Sequence, residues 1–272
     1  MFLKRTAVTL ILLPVGIAII AWGGWLYYGL ITLILGMAAY EYVRLFQAGG
    51  LRPAGVFVIA ATLILAVQRA MSGFEHADLT LSLIILLALA YHLVQYERGS
   101  EQASTDFAVT ISGVLYIGWL GAYLISLRML PDGLWWVLTA LPAVWLADTG
   151  AYLIGSRFGK HKMTPRLSPK KSWEGYLGGI LFSVPITTLL ALLWPIWAGP
   201  GLAITPLRAA VLALVLSVLT ILGDLGESMI KRQVGVKDSG NLLPGHGGIF
   251  DRIDSWLWAA VIGYYLIMWY LK

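Results

Sequence analysis

Nine long apolar runs, separated by short polar joints, dictate the environment of this chain. They fall at about 6–22, 25–46, 54–70, 78–96, 107–129, 134–155, 175–198, 205–226 and 252–271. A helix needs roughly 20 apolar residues to cross the hydrocarbon core of a bilayer, and only helices and closed barrels satisfy their backbone polar groups there. The expected fold is an all-α, polytopic integral membrane bundle of about nine transmembrane helices. Composition agrees, since 59% of the 272 residues are hydrophobic and only 12% are charged, against about a quarter in soluble domains. That length leaves no room for a separate soluble domain, so chemistry must sit on the helices or their loops. The first run follows Lys4-Arg5 as in a signal peptide, yet no A-x-A-like site follows it, and it reads as a retained helix. The absence of cysteine removes disulfides, thiolate metal sites and cysteine nucleophiles.

Orientation follows from the cations. With the N-terminus inside, Lys4, Arg5, Arg44, Arg52, Arg98, Arg157, Lys160, Lys162, Arg166, Lys170, Lys171, Lys231, Arg232, Lys237 and Arg252 fall on the cytoplasmic side. Only Arg69, Arg128, Arg208 and Lys272 fall outside, so both long polar loops, 156–174 and 227–251, are expected in the cytoplasm. The net charge of +5 reads as anchoring beside anionic lipid, with the bilayer and not nucleic acid as the partner. No internal repeat or linker breaks the chain. It reads as a single membrane-embedded domain over 1–272, with N-terminal helices over 1–140 and a catalytic half over 141–272.

Most polar residues of the second half gather in two stretches, each starting at the cytoplasmic end of an apolar run. Asp148 and Asp224 lie where a lone carboxylate is costly and usually faces the bundle interior or a wet cavity. Asp224 and Glu227 are three residues apart, as are Asp251 and Asp254, so each pair occupies one helix face. These five carboxylates, without cysteine and with one nearby histidine, suit a hard ion such as Mg²⁺. The purely structural alternative is that Asp251 pairs with Arg252 or Lys231 as an ion pair capping a helix. Gly245, Gly247 and Gly248 around His246 allow backbone N–H groups to approach an anion, and Lys170, Lys171, Lys231, Arg232 and Lys237 surround that face with positive charge. Together these features point to phosphate chemistry. Taken singly, such glycines more often serve turns, such a histidine more often caps, and the basic loop 157–171 more often anchors. Glu41, at the polar end of the second run, could face the active cavity or pair with Arg44 on the next helical turn, and pairing is the favoured reading.

The run Ser228-x-Ile230-Lys231-Arg232-x4-Lys237-Asp238-x-Gly240-x2-Leu243-Pro244-x-His246-Gly247-Gly248-Ile249-x-Asp251-Arg252-Ile253-Asp254 resembles, throughout, the signature of the phosphatidate cytidylyltransferase (CDP-diacylglycerol synthase) family. The stretches Asp148-Thr149-Gly150-Ala151-Tyr152 and Ser168-Pro169-Lys170-Lys171-Ser172-Trp173-Glu174-Gly175 are similar to that family as well. The likeness is residue by residue over about half the chain, while residues 1–140 carry topology alone.

The resemblance implies transfer of a cytidylyl group from CTP to phosphatidate, giving CDP-diacylglycerol and pyrophosphate, in a membrane of the bacterial inner-membrane type. It implies Asp224 and Asp251 as holders of Mg²⁺, with Asp148, Glu227 and Asp254 as further ligands or supports and a second cation left open. Lys231, Arg232 and His246 would join Asp224 and Asp251 in catalysis. Lys170, Lys171, Ser172, Ser228, Lys237, Asp238, Gly247, Gly248 and Arg252 would bind substrate, and a homodimer is in keeping with the likeness. The nearest alternative is a CTP-dependent membrane lipid kinase of the polyprenol or phytol type. An alternative of another class is an ion-coupled transporter, because intramembrane carboxylates also mark ion pathways.

Overall fold

The computed structural model describes residues 14–240 and 247–272. Among them the chain forms a polytopic all-α membrane bundle. Its elements are α1 (Gly24–Ala48), α2 (Gly55–Ser72), α3 (Ala77–Glu97), α4 (Ala103–Gly113), a π-helical turn (Val114–Trp119), α5 (Tyr123–Met129), α6 (Gly133–Phe158), strands β1 (Lys162–Thr164) and β2 (Ser168–Ser172), α7 (Trp173–Ala198), α8 (Pro206–Leu219), α9 (Ile221–Gln233) and α10 (Phe250–Tyr270).

Seven helical segments among the described residues are long and apolar enough to cross a membrane. They match the expected runs from 25–46 to 205–226. The run at 6–22 begins outside the described residues. The last run is helical as α10, but Trp256, Trp258, Tyr264, Tyr265, Trp269 and Tyr270 dilute its hydropathy below that of the other seven. Two expected spans are not continuous α-helices: 107–129 contains the π-turn, and 205–226 breaks at Thr220 between α8 and α9. The expected loop at 156–174 is largely structured, and α9 carries six residues past the expected loop start at 227.

The chain divides into two compact units. The first comprises residues up to Ser126 together with Ile230–Ile253. Here α1 packs on α2, and small residues let α4 and the π-turn approach them, since a Cβ on Gly113 in α4 would lie 2.5 Å from Tyr42 Cε1 in α1 and one on Gly118 in the π-turn would lie 3.0 Å from Thr62 Cα in α2. A π-turn loosens the regular ladder of carbonyls. On either side of it, Tyr42 donates to the Val109 carbonyl at 3.0 Å and Tyr27 to the Leu124 carbonyl at 3.0 Å. The buried guanidinium of Arg69 lies over Phe74 at 3.6 Å, flanked by Trp119 and Tyr123, and donates to Ser126 Oγ at 2.9 Å. Ring faces and a hydroxyl thus replace the water that a buried cation loses.

The second unit comprises Leu127–Met229 and Asp254–Lys272. Its framework is the α6–α7 pair, whose backbones approach through glycine. A Cβ on Gly179 would fall 2.5 Å from the Ala147 carbonyl oxygen, and one on Gly175 would fall 2.8 Å from that of Ala151. Ser183 Oγ adds a hydrogen bond to the Ala143 carbonyl at 2.7 Å. Such close seams substitute packing and hydrogen bonds for the hydrophobic drive that lipid removes. α8 starts at Thr205, whose hydroxyl accepts from Arg208 N, with Pro206 in the first turn where its missing N–H costs nothing.

Candidate active site

In the second unit the segment between α6 and α7 is an antiparallel hairpin, with Lys162 opposite Ser172 and Thr164 opposite Ser168. The motif Ser168-Pro169-Lys170-Lys171-Ser172 is strand β2 itself. The pairing shifts register between Lys162 and Thr164, and within β2 Lys170 is exposed while Lys171 is partly covered. Lys171 Nζ lies 2.7 Å from Asp224 Oδ2. The next residue, Ser172, is buried and caps α7, accepting from Gly175 N at 3.2 Å. In the first turn of α7, Glu174 accepts from the backbone N–H groups of Lys160 and His161 and meets His161 Nδ1 at 2.5 Å. The hairpin is therefore held at its base by the N-terminus of the helix that follows it.

Asp224 stands in the first turn of α9, where the positive end of the helix dipole favours a carboxylate, and its Oδ1 accepts from Ser228 Oγ at 3.3 Å. One residue earlier, a Cβ on Gly223 would fall 2.5 Å from the Asp254 carbonyl oxygen, so glycine lets α10 come against the start of α9. Glu227 and Asp254 are buried in this unit, Asp254 Oδ1 accepting from Ser255 N at 2.6 Å. Asp148, on α6, is exposed.

In the first unit Asp251 opens α10. Its Oδ2 accepts from Ser239 N at 2.9 Å, Ser239 Oγ at 2.8 Å and Gly248 N at 2.9 Å, and its Oδ1 meets Lys231 Nζ at 2.5 Å. The Asp251–Lys231 pairing that the residues alone allowed is present, inside a more elaborate hydrogen-bond set than a helix cap requires. Gly247 has φ +79°, a region that favours glycine, and a Cβ there would lie 2.9 Å from Asp251 Oδ2. The glycine amide expected to approach an anion is thus directed at the protein's own carboxylate.

Glu41 corrects a further expectation. In place of Arg44, its Oε2 accepts from Phe250 N at 2.8 Å and Ser239 Oγ at 3.1 Å, and the residue is 2% exposed. Ser239 is not among the expected site residues, and for Glu41 the sequence favours pairing with Arg44 over facing the active cavity. A carboxylate inside an apolar run was the signal for Asp148 and Asp224, and Glu41 carried the same signal; the nearby Arg44 offered a cheaper partner.

What the fold brings together is therefore pairwise. Among the described residues no three Asp, Glu or His side chains cluster at metal-chelating distance. Arg232, Lys237, Asp238 and Arg252 lie on exposed surface. Pro244, Gly245 and His246 lie outside the described residues.

Residues 3–270 match the cytidylyltransferase family. The chain is 35% identical to the phosphatidate cytidylyltransferase of Pseudomonas aeruginosa, covering 99% of this chain and 97% of that protein. It is 34% identical to the enzyme of that name from Staphylococcus haemolyticus, over 93% and 94% of the two chains. With that from Synechocystis sp. it shares 32% identity, over 90% and 89%. Matched from end to end, with its polar blocks organised around two lysine–aspartate contacts, the chain belongs to the cytidylyltransferase family.

Proposed function

We propose that this protein is a phosphatidate cytidylyltransferase, an integral multi-pass membrane enzyme that transfers CMP from CTP to phosphatidate and releases pyrophosphate. The observation that carries the reading is the contact of Lys171, on a strand of the cytidylyltransferase-like block, with Asp224 at the head of α9. A cation held by a carboxylate is oriented before the substrate arrives, which is how a site receives charge without reorganising.

The reaction joins two polyanions. A phosphate oxygen of phosphatidate attacks the α-phosphorus of CTP, the α–β bridging P–O bond breaks, and the electron pair leaves with pyrophosphate. The attacking oxygen is already anionic, so no strong general base is needed. Lys171 and Lys231 neutralise phosphate oxygens, and Lys170, Arg232, Lys237 and Arg252 add positive charge. Ser172 fixes the junction of β2 with α7, and Ser228 orients Asp224. Gly247 and Gly248 shape the turn before Asp251, with Asp238 and His246 on the same segment. In-line alignment of nucleophile and leaving group is the geometry such transfers require.

Mg²⁺ belongs to this reading. The donors are carboxylate oxygens with no sulfur, and Asp224 and Asp251 each face an ammonium group, a cationic stand-in. That chemistry fits a hard divalent ion. Asp224 and Asp251 would hold it, with Asp148, Glu227 and Asp254 in support and a second cation accommodated. When bound, the ion offsets the charge developing on the triphosphate. The site faces the cytoplasm with the N-terminus, a reading that the distribution of Lys and Arg supports, and a homodimer is in keeping with the family likeness.

The deciding experiment supplies purified protein with phosphatidate, Mg²⁺ and CTP labelled with ³²P at either the α or the γ position. Label entering lipid from the α position alone, with pyrophosphate released, is the expected result. Label from the γ position would make the protein a lipid kinase, and no label from either would overturn phosphoryl chemistry.

A further inference from the structure

We propose that Glu41 is a positioning residue for this reaction, acting through Ser239 and the amide of Phe250 to fix the segment that presents Asp251. The inference rests on the cytidylyltransferase reading. Glu41 lies in α1, a helix that carries none of the polar blocks, and its two partners are 198 and 209 residues away in sequence. A buried carboxylate is costly in an apolar helix, and here both hydrogen bonds fall on Oε2 while Oε1 has none among the described residues.

Ser239 Oγ has one hydrogen and two acceptors within reach, Asp251 Oδ2 at 2.8 Å and Glu41 Oε2 at 3.1 Å. Its oxygen in turn lies 3.3 Å from Asp251 N. Glu41 also accepts from Phe250 N, the residue immediately before Asp251. One carboxylate thus holds Ser239 and the amide of Phe250 together. Glycines leave room for it: a Cβ on Gly240 would lie 2.5 Å from Glu41 Oε1, and a Cβ on Gly248 would strike Oε2. Glycine at both places leaves room for a carboxylate and no more.

Four variants separate positioning from packing: Glu41→Gln, Glu41→Met, Ser239→Ala and the double variant Glu41→Met/Ser239→Ala. Gln keeps an acceptor oxygen for Ser239 and Phe250, whereas Met fills the volume without one. A misplacement of about 1 Å can cost on the order of 10² in rate, so Glu41→Met should lose kcat on that scale with KM for CTP little changed. Glu41→Gln should retain most of the turnover. Ser239→Ala should resemble Glu41→Met, and the double variant should lose little more than the worse single one, because the two residues act in one chain of contacts. Amide exchange at Phe250 gives a readout independent of activity: it should quicken in Glu41→Met and stay slow in Glu41→Gln. Full kcat in Glu41→Met, Gln as impaired as Met, or losses that add in the double variant would each overturn the proposal. Absence of turnover in the wild type would overturn the cytidylyltransferase reading instead, while the exchange experiment would still report on Glu41.

Discussion

Lys231 Nζ stands 2.5 Å from one oxygen of Asp251 while the other oxygen accepts from the amides of Ser239 and Gly248 and lies 2.8 Å from Ser239 Oγ. An exposed ion pair contributes under about 1 kcal/mol. This one has side chains only 14% and 11% exposed, so its charges are poorly screened and its geometry is fixed from both sides.

Asp251→Asn should therefore remove activity while leaving a folded protein. The amide must turn its carbonyl toward Ser239 and Gly248, which leaves its NH₂ facing the Lys231 ammonium. The expected losses are about 4 kcal/mol or more of transition-state stabilisation and about 2–4 °C in detergent Tm for each kcal/mol of lost contact. Near-normal CDP-diacylglycerol synthesis at saturating Mg²⁺ would remove Asp251 from the site.

Lys162 and Lys171 sit on facing strands at the same end of the hairpin, yet only Lys171 touches a carboxylate of the site. Lys171→Ala should lower kcat/KM by roughly 2–4 kcal/mol equivalent, with Lys162→Ala close to wild type. Lys171→Arg should rescue in part, since a planar fork replaces a point charge. Equal, small effects at both lysines would return the hairpin to a role in membrane anchoring.

Chelation with EDTA should abolish turnover, and Mg²⁺ should restore it, whereas Ca²⁺ should restore little because its looser coordination positions phosphates less strictly. Full activity after exhaustive chelation would contradict the carboxylate assignment for Asp224 and Asp251 alike.

The chain lacks cysteine, so single cysteines report orientation without background. Lys160→Cys should react with an impermeant thiol reagent only from the cytoplasmic side, and Glu75→Cys only from the other. The opposite pattern would place the hairpin away from cytosolic CTP.

Gly179→Ala probes the α6–α7 seam. Its methyl group would meet the Ala147 carbonyl oxygen at 2.5 Å, and backbone cannot yield as a side chain can. Overpacking of this kind costs about 1–3 kcal/mol, readable as a fall in detergent Tm. An unchanged Tm would mean that the helices separate freely there.

The apolar runs revealed the helices because the bilayer imposes a length and a polarity that no loop shares. Interruptions were harder to see. The π-turn at Val114–Trp119 and the break at Thr220 interrupt runs that stay apolar across them, so hydropathy passes over both. Asp224, Asp251 and the lysines were legible because charge stands out against an apolar background. Of their pairings, Lys231 with Asp251 was open to the sequence as a helix cap, whereas Lys171 with Asp224 was not, because no helical or strand period spans that interval. Glu41 was misassigned to Arg44 for the same reason: local spacing suggested a neighbour, while the fold supplied Ser239 and Phe250 from the far end of the chain.

β2 is pinned at both ends, by Ser168 opposite Thr164 and by Ser172 capping α7. Between these pins the pairing slips, because four residue steps of β2 span the interval that two steps of β1 span, so the strand is irregular between Ser168 and Ser172. An irregularity of this kind re-aims the side chains beside it, and Lys171 meets Asp224 while Lys170 stays exposed. The hairpin should accordingly accept changes of residue type at Pro169 more readily than any change of length, because a residue added or removed there would shift that irregularity and with it the lysine presented to α9.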